Sequence, residues 1–105
     1  MWGQNKYGAI RTEVDGQWFD SKAEAKRYQE LKIMVRAGIV KNLQVHERFA
    51  IIVGGKTVGQ YEADFTYYEN GKQVVEDVKG VKTDVYKLKK KLLLFRYPFC
   101  VFRET

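Results

Sequence analysis

Gln60-Tyr61-Glu62-Ala63-Asp64-Phe65-Thr66-Tyr67-Tyr68, Glu69-Asn70-Gly71-Lys72 and Gln73-Val74-Val75-Glu76-Asp77-Val78-Lys79 follow one another without a break. In the first segment Tyr61, Ala63, Phe65 and Tyr67 alternate with more polar neighbours, the two-residue period of a half-buried strand. Asn70-Gly71 favours a tight hairpin turn, so a second strand is expected over residues 73–79. With Glu69 facing Lys72 across the turn, the register sets Asp64 opposite Asp77 and Glu62 opposite Lys79. Side chains alternate faces along a strand, which puts all four on one side of the sheet.

Working outward, apolar and β-branched residues from Leu43 to Val53 precede the turn signal Gly54-Gly55, which predicts a third strand and a meander. Downstream, Thr83 can cap a helix running to about Arg96, with Val85, Leu88, Leu92 and Phe95 as one apolar stripe. Pro98 ends it, and Phe99 to Phe102 read as a last strand. Upstream, Ser21 to Ala37 carries Tyr28, Leu31 and Val35 at helical spacing, with Gly38 as a stop. Before it, Asp15-Gly16 joins residues 11–14 to residues 17–19 in a short hairpin. The expectation is an α/β (α+β) fold of order α-β-β-β-α-β. It has a mixed central sheet flanked by helices, a short N-terminal hairpin, the last helix as a crossover, and residues 1–8 as a flexible arm.

At 105 residues the chain is the size of a single domain. It has 45% hydrophobic and 30% charged residues, one proline and no apolar run near the ~20 residues of a membrane span, as expected of a soluble protein. No secretory signal opens it, and the single Cys100 has no disulfide partner within the chain, so a reducing, cytoplasmic setting is expected. The net charge of +6 is uneven: residues 1–78 hold 11 Lys+Arg against 11 Asp+Glu, and residues 79–105 hold 8 against 2. One basic face follows, either a solvated lysine-rich helix or the footprint of a polyanion.

Two carboxylates opposite each other destabilise a bare sheet, because their Cβ atoms lie about 5 Å apart. A cation removes the penalty. Lys79 offers one, and converging carboxylates also match the oxygen coordination of Mg²⁺ or Mn²⁺. Glu24 shares the helical stripe of Tyr28, Leu31 and Val35 and is expected to point inward; alternatively, Ser21 and Glu24 form an S-x-x-E capping box. His46 and Cys100 read as structural, and Tyr67-Tyr68 as one core and one surface aromatic.

Asp64, then Asp77-Val78-Lys79, preceded by a helical Glu24 and followed by a Thr-capped basic helix, resembles the PD-(D/E)XK nuclease superfamily, with Ala63 where that pattern opens on proline. Phe19-Asp20-Ser21-Lys22-Ala23-Glu24-Ala25, Tyr61-Glu62-Ala63-Asp64-Phe65 and Val75-Glu76-Asp77-Val78-Lys79-Gly80 look like the small phage-encoded nucleases that include Holliday junction resolvases. The resemblance implies a restriction-endonuclease-like core and phosphodiester hydrolysis in a host cytoplasm. Asp64 and Asp77, completed by Glu24, would ligate Mg²⁺, with Mn²⁺ as a substitute, and Lys79 would orient the attacking water. Lys82, Thr83, Lys87, Lys90 and Lys91, with Lys6 and Arg11 in the arm, would meet the DNA backbone. The implied partner is branched DNA, a four-way junction. Its two cuts call for a homodimer, for which Trp18, Phe19, Tyr68 and Ile39 are candidate contacts. Other nucleases of the superfamily, of transposition or repair type, and a non-enzymatic basic DNA-binding protein are the alternatives.

Overall fold

The computed structural model describes residues 10–78 and 82–105. The chain divides into two compact units, residues 1–40 and 41–105.

In the first unit, β1 (Thr12–Val14) and β2 (Gln17–Phe19) form an antiparallel hairpin. Asp15 and Gly16 both take positive φ (52° and 79°), the conformation a two-residue turn needs to match strand twist. Helix α1 (Lys22–Arg36) starts where Ser21 Oγ accepts the Glu24 N–H at 3.1 Å. It stops at Gly38, whose φ of 78° lets its N–H reach Val35 O while Ile39 N–H reaches Met34 O, a Schellman ending. Phe19, Ala25 and Leu31 are buried, and the Phe19 ring lies 4.8 Å from that of Tyr28. Val35, expected on the inward stripe, is 39% exposed.

The second unit begins after Val40, the first residue of β3 (Val40–Val45). It continues with β4 (Arg48–Val53), β5 (Lys56–Glu62), β6 (Phe65–Glu69), β7 (Lys72–Asp77), α2 (Asp84–Arg96) and β8 (Val101–Glu104). The order is therefore β-β-α-β-β-β-β-β-α-β, an α+β fold that opens on the expected hairpin and corrects the expected three strands between the helices to five. The expected strand over residues 43–53 is broken at His46-Glu47, and the one over 60–68 at Ala63-Asp64. These breaks face each other: His46 N–H donates to Asp64 O at 3.2 Å, and Ala63 N–H to Glu47 O at 2.9 Å. His46 sits there at φ 57° and not in a strand, so the two neighbouring chains bend together. Beyond the bend β4 and β5 pair as a separate hairpin, with a bulge between Ile51 and Ile52 and a Gly54-Gly55 turn in which both φ values are positive.

A four-stranded sheet runs β3-β6-β7-β8. β6 and β7 are antiparallel about Asn70-Gly71 in the expected register, Phe65 facing Glu76 and Glu69 facing Lys72. β7 and β8 are parallel, joined through α2, and Asp77 is level with Glu104. The core gathers Ile51, Tyr61, Ala63, Val75 and Leu93, with Phe49, Tyr86, Leu92 and Phe102 against them.

Helix α2 is capped by Thr83 Oγ1, which accepts the Tyr86 N–H at 3.1 Å. Its inward face is Tyr86, Leu92 and Leu93; of the expected stripe Leu92 alone packs there, whereas Val85, Leu88 and Phe95 are 62%, 58% and 88% exposed. Consecutive Leu92-Leu93-Leu94 supply apolar groups on more than one side, so the pattern alone does not choose the packed face. Among the described residues no helix is long and apolar enough to cross a membrane.

Candidate active site

Asp64 falls in the break between β5 and β6, and Asp77 ends β7, so both stand where the ladder gives out. The expected register brings them side by side. Asp64 N–H donates to Asp77 Oδ1 at 3.2 Å, and Val78 N–H donates to Asp64 Oδ2 at 2.7 Å. Asp77 is fully buried and Asp64 is 8% exposed. Each carboxylate is thus aimed by the main chain of the opposite segment, a fixed arrangement of two hard oxygen donors.

Glu104 stands beside Asp77 on the neighbouring parallel strand. It accepts the Tyr86 hydroxyl at 2.6 Å and bridges Lys82 at 3.3 Å and Lys90 at 3.4 Å. The Tyr86 hydrogen bond, then the two lysines, hold the Glu104 carboxyl below its ordinary range. Tyr86 is driven the other way: burial, the Glu104 bond and the negative fields of Asp77, Glu104 and Asp64 keep its hydroxyl protonated far above the usual tyrosine range. The aspartate pair and the α2 tyrosine therefore share one electrostatic neighbourhood.

A groove of about 310 Å³ runs along α2, lined by Lys82, Tyr86, Lys87, Lys90, Lys91, Leu94 and Glu104. It brings together the four lysines expected to follow a DNA backbone. Lys82 and Lys90 spend charge on Glu104, and Lys90 also lies 4.6 Å over the Phe102 ring. Lys87 and Lys91 are exposed, and among the described residues neither has an acidic partner. Thr83 is exposed, its hydroxyl serving as the helix cap.

The remaining expected residues separate. Glu62, expected opposite Lys79, lies in the β4–β5 hairpin, where it faces Arg48 and bridges its Nε at 3.1 Å. Glu76 takes the opposite face of β7, fully buried, accepting from the Tyr67 hydroxyl and from Thr105 Oγ1 at 3.0 Å; Arg103 donates to the Tyr67 oxygen at 2.9 Å. Glu24, 6% exposed, and Arg11, whose guanidinium lies 5.1 Å over the Trp18 ring, belong to the first unit. Of the candidate interface residues Phe19 is fully buried, whereas Trp18, Ile39 and Tyr68 are 50%, 52% and 42% exposed. Lys6 and Lys79 lie outside the described residues. Among those described, no three His, Cys, Asp or Glu side chains cluster closely enough to form a metal cage.

One protein family matches the chain over residues 4–103, nearly its whole length. The chain belongs to the family described as protein of unknown function (DUF1064). No curated protein and no solved structure matches it.

The aspartate pair of this DUF1064 chain was legible from the Asn70-Gly71 register, but Glu104, Tyr86 and the Lys82 and Lys90 bridges were not. They depend on the parallel β7–β8 register, which follows only once the length of the α2 crossover is known. Chemically, the DUF1064 site offers two oriented carboxylates, a hydroxyl held protonated beside them, and a basic groove along the helix that carries that hydroxyl.

Proposed function

We propose that this protein is a metal-dependent DNA endonuclease, selective for branched DNA, with a restriction-endonuclease-like core. The observation that carries the reading is the buried Asp64–Asp77 pair, each carboxylate hydrogen-bonded to the backbone across the strands. Two carboxylates fixed this close are a ready pair of oxygen ligands for a divalent cation. The donor set fits Mg²⁺ or Mn²⁺, since Mg²⁺ is commonly held by one or two carboxylates with waters and substrate phosphate filling its other positions. Asp64 and Asp77 would hold the ion, and the sequence resemblance adds Glu24. When bound, such an ion supplies a reactive water at neutral pH and a counter-charge for the phosphate.

The chain's own groups account for the rest. The Asp64 and Val78 N–H groups fix the carboxylates before substrate arrives, which lowers the cost of organising them during reaction. Lys87 and Lys91 hold a phosphodiester backbone in the groove, contacts that position a strand without reading its sequence. Lys82 and Lys90 neutralise Glu104, so a third acid beside the pair does not repel the substrate. By resemblance, Lys79 orients the attacking water.

The test is incubation of the purified chain with linear, nicked, flapped and four-way DNA, in Mg²⁺ and in Mn²⁺. Cleavage of branched substrates is expected, abolished in Asp64→Asn and Asp77→Asn with DNA binding retained, and lost in Glu24→Gln. Cleavage confined to linear duplex would end the selectivity for branched DNA. Near wild-type cleavage by Asp77→Asn would end the site assignment.

A further inference from the structure

Helix α2 ends on Phe95-Arg96, and Tyr97-Pro98-Phe99 follow directly. Three aromatics thus stand at alternate positions beside one arginine, and they are out in solvent: Phe95 and Phe99 are 88% and 94% exposed, Tyr97 41%. Tyr97 is held in place, its ring 6.0 Å from that of Phe49 and 5.8 Å from the Arg96 guanidinium. Two hollows, of about 420 and 680 Å³, share Arg96 and Tyr97 in their walls; the first adds Phe95 and Ile52, the second Phe99, Tyr68 and Lys72. Both fall in the range of about 300–1,000 Å³ typical of clefts that take a ligand. Among the described residues no Asp or Glu lines either hollow, and the charges that do, Arg96 and Lys72, are cationic.

One row of side chains ties these aromatics to the basic groove. Lys87, Lys91 and Phe95 follow one another four residues apart, neighbours on a single strip of the helix surface, and all three are exposed. Bare rings interleaved with cations and free of acids match a ligand with flat apolar faces and an anionic backbone, which is a nucleic-acid strand whose bases are unpaired. A base inside a duplex hides its faces in the stack and offers the rings nothing. We propose that Phe95, Tyr97 and Phe99 form a stacking platform for the unpaired bases of a DNA strand, its phosphates running along Lys87 and Lys91 and meeting Arg96 and Lys72 beside the rings. Charge favours the strand over a second copy of the chain, which would bring the cations of this face against their own counterparts. The choice of DNA over RNA rests on the nuclease reading; the platform itself does not. Phosphate contacts alone cannot tell a branch from a linear duplex, whereas unpaired bases are available where strands part.

The test is fluorescence anisotropy of the full chain in chelator with strands of equal length: an oligothymidylate, the same strand with its bases removed, and an oligouridylate. The oligothymidylate is expected to bind at least about 10-fold tighter than its base-free counterpart, although the two carry the same charge. Phe95→Ala and Phe99→Ala should each weaken oligothymidylate binding by roughly 5- to 150-fold, the loss of one base stack, and leave the base-free strand and the slope of log affinity against log salt unchanged. Lys91→Ala should weaken both strands alike and lower that slope. Both phenylalanines are exposed, so far-ultraviolet dichroism should not change in either variant. Strands carrying 5-iodouracil should crosslink within residues 92–103. A base-free strand bound as tightly as oligothymidylate, phenylalanine variants that bind both strands normally, crosslinks confined to other segments, or a Phe95→Ala effect seen only on self-association in sedimentation would each overturn the proposal. Tighter binding of oligouridylate than of oligothymidylate would overturn the assignment to DNA. Base-dependent binding by a protein that cuts no DNA in Mg²⁺ would uphold the platform and count against the nuclease reading alone.

Discussion

Asp77 and Glu76 are consecutive, both fully buried and both acidic, yet neutralising them should affect stability very differently. Asp77 lies beside Asp64. At about 5 Å and an effective dielectric near 20, two unit charges repel by roughly 3 kcal/mol. Asp77→Asn removes that repulsion and keeps an oxygen to accept the Asp64 N–H, a neutral bond weaker by about 1 kcal/mol. The two effects offset, so the metal-free variant should lose no more than about 1 kcal/mol, a thermal midpoint at most roughly 4–8 °C below wild type for a chain of this size. Glu76 instead accepts two hydroxyl donors, from Tyr67 and Thr105. Glu76→Gln turns one acceptor oxygen into a donor facing a hydroxyl and should cost about 2–3 kcal/mol. Thermal unfolding in chelator separates the two. Adding Mg²⁺ or Mn²⁺ should then raise the wild-type midpoint by about 1.4 kcal/mol of stability at ten times Kd and leave Asp77→Asn unmoved. An Asp77→Asn protein that loses more than about 1 kcal/mol in chelator would make the carboxylate a structural anchor and refute the reasoning.

Lys87→Ala and Lys91→Ala should each weaken DNA binding on every substrate and reduce the slope of log affinity against log salt by about one unit or less, measured by fluorescence anisotropy; an unchanged slope in the double variant would leave the groove merely solvated. The Glu104 carboxyl is held below its ordinary range by Tyr86, Lys82 and Lys90, so its contribution to stability is present above the ordinary glutamate range and is lost as pH falls through the lower, folded value. Glu104→Gln should remove that acid-limb dependence in denaturant titrations, and an unchanged acid limb would show that the bridges are not maintained in solution. Leu93→Ala, in the core, should cost about 2–5 kcal/mol, whereas Leu88→Ala should cost under about 1 kcal/mol in a monomer, read from urea midpoints; equal costs would place the packed face of α2 wrongly.

The parts of this fold legible in sequence are those with stringent local chemistry. Asp15-Gly16, Gly54-Gly55 and Asn70-Gly71 each carry two positive φ angles that few residues tolerate, so the dipeptides disclose the hairpins, and the last of them carries the Asp64–Asp77 register. Ser21, Gly38 and Thr83 disclose helix ends for the same reason. The bend at His46-Glu47 and Ala63-Asp64 has no such marker: its residues are ordinary strand formers or polar groups, and the break comes from two chains turning together. The packed face of α2 was misread because a seam of Val85, Leu88, Leu92 and Phe95 satisfies the same periodicity whether it meets the core or another surface. Glu104 was missed because pairing between strands far apart in sequence leaves no local trace.

The hairpin turns and the parallel pair also set a timetable for folding. The β6–β7 hairpin closes over two residues, whereas Val74 meets Val101 only after the whole α2 crossover has been gathered in. Local closure is entropically cheaper and faster than closure through a long intervening segment. The two aspartates are therefore expected to find each other before β8 docks, with Glu104, Tyr86 and the lysine groove arriving in the final step. On that schedule Val75→Ala should slow refolding, whereas Leu93→Ala should act mainly by speeding unfolding, as stopped-flow refolding and unfolding rates would show.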